Sequence, residues 1–134
     1  MDKMTYAVIN GKETPLFYSV DVMFDVNDRF GDVRTAIETL DRDDKEAFEA
    51  VRWMAVRMAN EAELIRREEG YDHETMLTEK DITPHMKVKA FAELKNKVAD
   101  AIAIGYGQEI EEAEKKEVDL GLQEINSKKG KAKG

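Results

Sequence analysis

The sequence predicts an α+β, mostly helical fold: an N-terminal β-hairpin, about four helices and a flexible charged tail. Three observations lead to this prediction. An Asn-Gly pair separates two short β-forming runs, apolar residues then recur at helical spacing, and the composition becomes strongly charged towards the end of the chain. We therefore expect residues 1–107 to form one compact domain, and residues 108–134 to form a charged, partly disordered tail.

The hairpin is predicted from residues 5–9 and 12–18, which flank Asn10 and Gly11. Both of these residue types tolerate a positive φ, which a two-residue type I′ turn requires at its central positions. Pro15 has no N–H to donate, so the second strand is expected to be an edge strand or to end its pairing early. Because an isolated hairpin is marginal in water, this one must pack on helices or pair with another chain.

Helical spacing predicts the rest of the domain. The first helix follows a cap at Ser19 and ends at Gly31, and the second covers residues 32–40. The third covers residues 45–69 and ends at Gly70. A polar loop follows, and the fourth helix is expected to begin with Thr83 as its cap and Pro84 at its first position. The third helix carries one broad apolar arc: Ala47, Phe48, Val51, Met54, Ala55, Met58, Ala59, Ala62 and Ile65.

Composition excludes several functional classes. The chain has 134 residues, with 21 Lys and Arg against 29 Asp and Glu and a formal net charge of -8, which argues against binding to nucleic acid or to an anionic membrane. Without cysteine there are no disulfides, thiolate metal sites or cysteine nucleophiles. The sequence shows neither a signal peptide nor a membrane-spanning run, so a cytoplasmic location is expected. The four lysines of residues 127–134 are expected to be a solubilising tail.

The residues that usually carry catalysis or bind metals do not form a motif. His73 and His85 are the only histidines, and neither has a ligand at helical spacing. No glycine-rich loop precedes a helix, so no phosphate site is expected. We therefore predict a non-catalytic protein without a metal or cofactor. A pair of carboxylates brought together by the fold stays open as an alternative.

The long third helix supplies the candidate binding residues. Trp53 and Leu64 lie outside the main apolar arc on nearly one line, with Arg57 between them. One interpretation is a central helix that is buried on two sides. The other is a protein-binding surface, since Trp and Arg are frequent interface residues and Met adapts its shape to a partner. This second interpretation assigns protein binding to five residues: Trp53, Met54, Arg57, Met58 and Leu64.

The hairpin sequence Asn10-Gly11-Lys12-Glu13-Thr14-Pro15-Leu16 leads into a helix that ends in Phe30-Gly31. This order resembles the opening of the tail assembly chaperones of long-tailed bacteriophages, in which an NGKE-x-x-L hairpin precedes a helix ending in an aromatic residue and glycine. The acidic loop, the long helix, the proline-led helix and the charged tail are also similar to that family. The resemblance covers residues 5–107.

The resemblance implies a protein that binds the aggregation-prone tape-measure protein while tail tube subunits polymerise around it in the host cytoplasm. Its partners would be the tape-measure protein, the tail tube protein and, through the hairpin edge, further copies of the chain itself. The family often also makes a longer form by ribosomal frameshifting, and codons for residues 128–131 are a hypothetical slippage site. Two alternatives stay open: a structural virion or adaptor protein such as a phage neck component, and a small enzyme or regulator.

Overall fold

The computed structural model describes residues 4–108, which fold as a two-stranded hairpin followed by helices. The predicted α+β, mostly helical architecture is confirmed. From residue 109 onwards, the predicted tail lies outside the described residues, and so does the proposed slippage site. The elements are β1 (Thr5–Ile9), β2 (Lys12–Leu16), α1 (Val20–Phe30), α2 (Val33–Leu40), α3 (Lys45–Glu68), a 3-10 turn (Glu79–Asp81) and α4 (Val88–Gly105).

The hairpin has the predicted turn, with positive φ at both Asn10 (55°) and Gly11 (74°). The strands pair antiparallel from Ile9 opposite Lys12 at the turn to Thr5 opposite Leu16. Pairing does not end early at Pro15. Residues flanking a two-residue turn exchange both hydrogen bonds, and every second pair after them does the same. Pro15 falls in one of the other pairs, where its missing N–H would have pointed away from β1.

The predicted cap at Ser19 is confirmed, and each of the first three helices begins after a side-chain cap. The side chains of Ser19, Asp32 and Asp44 accept hydrogen bonds from the backbone N–H groups of the first turns of α1, α2 and α3. Gly31 and Gly70 follow α1 and α3, each with a φ of 94° that favours glycine. In each case a local signal was sufficient to place the helix end.

The predicted start of α4 is wrong. Thr83 and Pro84 open a turn, in which Met86 N donates to the Thr83 carbonyl oxygen at 3.3 Å. The helix begins only at Val88, without a side-chain cap. Proline fits the second position of such a turn as well as the first position of a helix, so the dipeptide alone does not distinguish the two.

Helix α3 is the centre of the molecule and packs against β2, α1, α2 and α4. Its predicted apolar arc is the buried face, and Val51, Met54 and Met58 are among the most deeply buried side chains. These contacts fit the interpretation of α3 as a central helix with neighbours on more than one side. The packing around it decides which of its residues a partner can reach.

The hairpin lies on the helices through one face. Thr5, Ala7 and Ile9 alternate inwards along β1, which packs against α4, while β2 packs against α3. Leaving β2, the chain passes close to α4 at Gly105. A side chain at this position would place its Cβ 2.7–2.8 Å from atoms of Tyr18, including its carbonyl oxygen, so the close approach requires glycine.

Candidate interaction surface

Trp53 is half-buried in the contact between α3 and α1. Its ring and that of Phe30 make a T-shaped contact at a centroid distance of 5.9 Å, and the guanidinium of Arg29 lies 5.0 Å from the centroid of the Trp53 ring. These are an aromatic pair and a cation–π contact within the chain. The end of α1 therefore already covers much of the surface that Trp53 was expected to offer to a partner.

Arg57 is also used within the chain. Its guanidinium donates to Asp25 on α1 at 2.7 Å and to Glu61 on α3 at 2.9 Å, and its side chain is only 24% exposed. The other oxygen of Glu61 accepts a hydrogen bond from the Ser19 hydroxyl at 2.6 Å. Charge-assisted bonds of this kind join the start of α1 to the middle of α3.

The expectation that Met54 and Met58 contribute to a binding surface is corrected by their burial, which leaves them 1% and 0% exposed. Both belong to the main apolar arc of α3, and the backbone N–H of Phe17 donates to the Met58 carbonyl oxygen at 3.1 Å. They fill the core beneath the hairpin, and neither lies at the surface.

Leu64 is the member of the predicted set that is largely exposed, at 44%. Along this side of α3, Phe30 lies beside Trp53, Asp25 beside Arg57, and Ser19 beside Glu61. Helix α1 therefore runs antiparallel to α3 and begins next to Glu61. Leu64 comes three residues later on α3, beyond the start of α1, and stays uncovered.

Helix α1 adds two exposed apolar residues that are not among the five predicted binding residues. Val20 is 62% exposed and Phe24 is 53% exposed. They lie four residues apart and about 200° around the helix from Val22 and Val26, which are buried. The sequence alone contains a signal for this arrangement, since it has two apolar i,i+4 pairs that are offset by two residues and therefore face opposite sides of the helix. We call Val20, Phe24 and Leu64 together the apolar surface, since they are the exposed apolar residues of α1 and of the part of α3 just beyond the start of α1.

The segment of residues 71–78 is bound along another side of α3. The Asn60 side chain donates to the Leu77 carbonyl oxygen at 3.0 Å and accepts from the Leu77 N–H at 2.8 Å. Glu63 accepts the backbone N–H of Glu74 at 2.7 Å and binds the guanidinium groups of Arg66 and Arg67. Asn60 and Glu63 thus hold this segment against the helix.

These contacts hold Glu63 in its charged form. The hydrogen bond from the Glu74 N–H, with the two guanidinium groups, lowers the pKa of Glu63 to about 2 although the side chain is buried. The pKa of the Glu74 carboxyl is also lowered, mainly by its hydrogen bond from Lys12. A general acid would need the opposite shift.

A groove of about 720 Å³ lies between the hairpin and this segment, with Tyr6 and Pro15 on one side and Tyr71 and Leu77 on the other. Of the carboxylates that line it, those of Glu63 and Glu74 have lowered pKa values, so these two do not favour the enzyme alternative. Within residues 4–108, no group of three or more His, Asp or Glu side chains is placed to hold a metal ion.

Comparisons with protein-family models, curated protein sequences and solved structures found no match. Among the described helices, none combines the length and the apolar character needed to cross a membrane.

Proposed function

We propose that the chain is a phage tail assembly chaperone, a non-catalytic protein that binds the tape-measure protein and keeps it in solution while the tail tube forms. The apolar surface of Val20, Phe24 and Leu64 is the observation that carries this proposal, because a protein that retains a hydrophobic client must expose apolar side chains while folded. The resemblance of the hairpin and first helix to this family supplies the identity of the client.

The apolar surface suits a helical client. Val20 and Phe24 project from one side of α1 at the i,i+4 spacing with which one helix contacts the apolar stripe of another. Leu64 adds an exposed apolar side chain on α3. The net charge of -8 keeps a complex of this kind soluble, because a net charge far from zero opposes association between complexes. The proposed location is the host cytoplasm, where tail tube subunits would replace the chaperone on its client.

Co-expression with the tape-measure protein encoded beside this gene tests the proposal. We expect the full chain to raise the soluble fraction of the client and to co-purify with it. Phe24→Ser should weaken the complex at least about tenfold, since exposed aromatic residues at the centre of an interface contribute most of its affinity. The variant should still fold, because Phe24 lies on the outer face of α1.

Val88→Ser is the matched control, since Val88 is 84% exposed but lies at the start of α4. It should bind the client as the unchanged chain does. Equal binding by Phe24→Ser and the unchanged chain would contradict the proposed surface, and a client that stays insoluble in every case would contradict the chaperone function. Recovery of the chain from purified, infectious particles would instead favour a structural component such as a neck protein.

A further inference from the structure

The outer edge of β1 carries backbone groups that the hairpin does not use. Ile9 and Lys12 flank the turn and form a hydrogen-bonded pair, and every second pair after them, Ala7 with Thr14 and Thr5 with Leu16, does the same. Tyr6 and Val8 fall between these pairs, so their N–H and C=O groups point away from β2. Within residues 4–108 the sheet has two strands only, and no other segment pairs with this edge.

The two edges of the hairpin differ. The β2 edge carries Pro15, which lacks an N–H, together with the charged Lys12 and Glu13, and β2 packs against α3. Proline and charge are the usual features that stop a strand from accepting another. Strand β1 contains neither, and its outer side chains Tyr6 and Val8 are 50% and 63% exposed.

We infer that β1 pairs antiparallel with the β1 strand of a second copy of this chain, around a two-fold axis through Ala7. In this register Tyr6 lies opposite Val8 of the partner subunit, and Val8 lies opposite the partner's Tyr6. All the outward N–H and C=O groups of these two residues are then paired across the axis. The two hairpins become one four-stranded antiparallel sheet with strand order β2-β1-β1-β2.

The sequence of β1 is suited to pairing with the same strand of a second copy. The strand reads Thr-Tyr-Ala-Val-Ile, so the pairing brings no like charges together and places an aromatic ring beside a β-branched side chain in both halves. The edges left at the ends of the new sheet are the two β2 strands, which Pro15 closes to further pairing. The assembly therefore ends as a dimer and does not extend into a fibre.

Sedimentation and light scattering of the full chain provide the first test, and we expect twice the mass of the 15.3 kDa chain. Val8→Pro removes an outward N–H without removing a bond within the hairpin, and should raise the dimer dissociation constant by roughly 100-fold through the loss of two symmetric hydrogen bonds. Glu13→Pro is the matched control: Glu13 lies directly opposite Val8, and its N–H points out from the other edge. This variant should remain a dimer.

A monomeric unchanged chain at high concentration would overturn the inference. So would a dimer that Val8→Pro and Glu13→Pro weaken equally, because the contact would then lie elsewhere. Circular dichroism and thermal melting of both variants show whether each keeps its fold. If Val8→Pro does not fold, Val8→Glu takes its place as the variant that should be monomeric. It should fold, because it changes no backbone group.

A charge exchange tests the register itself. Tyr6→Lys and Val8→Glu should each weaken the dimer alone, whereas the double variant should recover it, because each lysine then faces a glutamate of the partner subunit. The recovered dimer should weaken as salt is added. A double variant no tighter than either single variant would overturn the register. The inference is independent of the client, so Phe24→Ser should stay dimeric whether or not it binds the tape-measure protein.

Discussion

Among single residues, Trp53 and Leu64 belong to the same line on α3 but have different environments. The sequence places both outside the apolar arc, and only the position of α1 separates them. Phe30 and Arg29 cover the Trp53 ring, while α1 begins beside Glu61 and leaves Leu64 exposed. A large aromatic residue that is half-buried under a second helix contributes mainly to the stability of the fold. Less of its surface is then left for a partner.

Trp53→Ala should therefore destabilise the fold. We expect the free energy of unfolding in urea to fall by about 2–3 kcal/mol, somewhat below the cost of removing a fully buried aromatic side chain. Leu64→Ala, as the control on the same helix, should cost less than about 1 kcal/mol because the side chain is already largely in water. If the two variants unfold alike, the contacts of Trp53 with α1 contribute little and its ring is free for a partner.

Among the elements, prediction succeeded where the signal is local. The Asn10-Gly11 turn, the cap at Ser19 and the glycines that follow α1 and α3 each depend on a few neighbouring residues, and each is present. Two features were missed, one because its local signal fits two structures and one because it depends on a distant residue. The start of α4 is set by how the chain turns after Thr83, and the covering of Arg57 depends on Asp25, 32 residues earlier. The outward-facing pair of Val20 and Phe24 on α1, in contrast, could have been predicted from its spacing in the sequence.

The segment of residues 71–78 is attached to α3 in part through the Glu63 carboxylate, which predicts a pH dependence. The pKa of Glu63 falls from an ordinary 4.5 to about 2 in the folded chain. The unfolded chain therefore binds this proton more readily than the folded chain between these values. The resulting stabilisation is complete above pH 4.5 and is lost as the pH falls towards 2.

Urea unfolding of the full chain at a series of pH values measures this effect. Glu63→Gln should lower the free energy of unfolding at neutral pH and flatten its decrease below pH 4.5. Glu68→Gln is the control, since Glu68 is an exposed residue at the end of the same helix. It should keep the slope of the unchanged chain. If Glu63→Gln also keeps that slope, the attachment of the segment does not depend on the charge of Glu63.

In the whole molecule, the arrangement around α3 determines how the parts depend on one another. The hairpin, α1, α2 and α4 all contact this helix, and the 71–78 segment is hydrogen-bonded to Asn60 and Glu63 on it. The regions proposed to bind a partner, in contrast, face outwards and belong to different elements: the outer face of α1 and the free edge of β1. A client on the helical face and a second copy on the hairpin can thus be bound through separate elements, each held by the same central helix.

This arrangement predicts that the domain unfolds in one cooperative step. Trp53 is the only tryptophan and reports on the contact between α1 and α3, whereas far-ultraviolet circular dichroism reports on all helices together. Because β2 and the other three helices all pack against α3, both signals should change at the same urea concentration with the same slope. The comparison is made at several protein concentrations, since dimerisation would shift both midpoints together. A tryptophan transition that clearly precedes the loss of helix would show that α1 separates from α3 before the rest of the domain unfolds, and that the contacts of Arg57 with Asp25 and Glu61 do not couple the two helices.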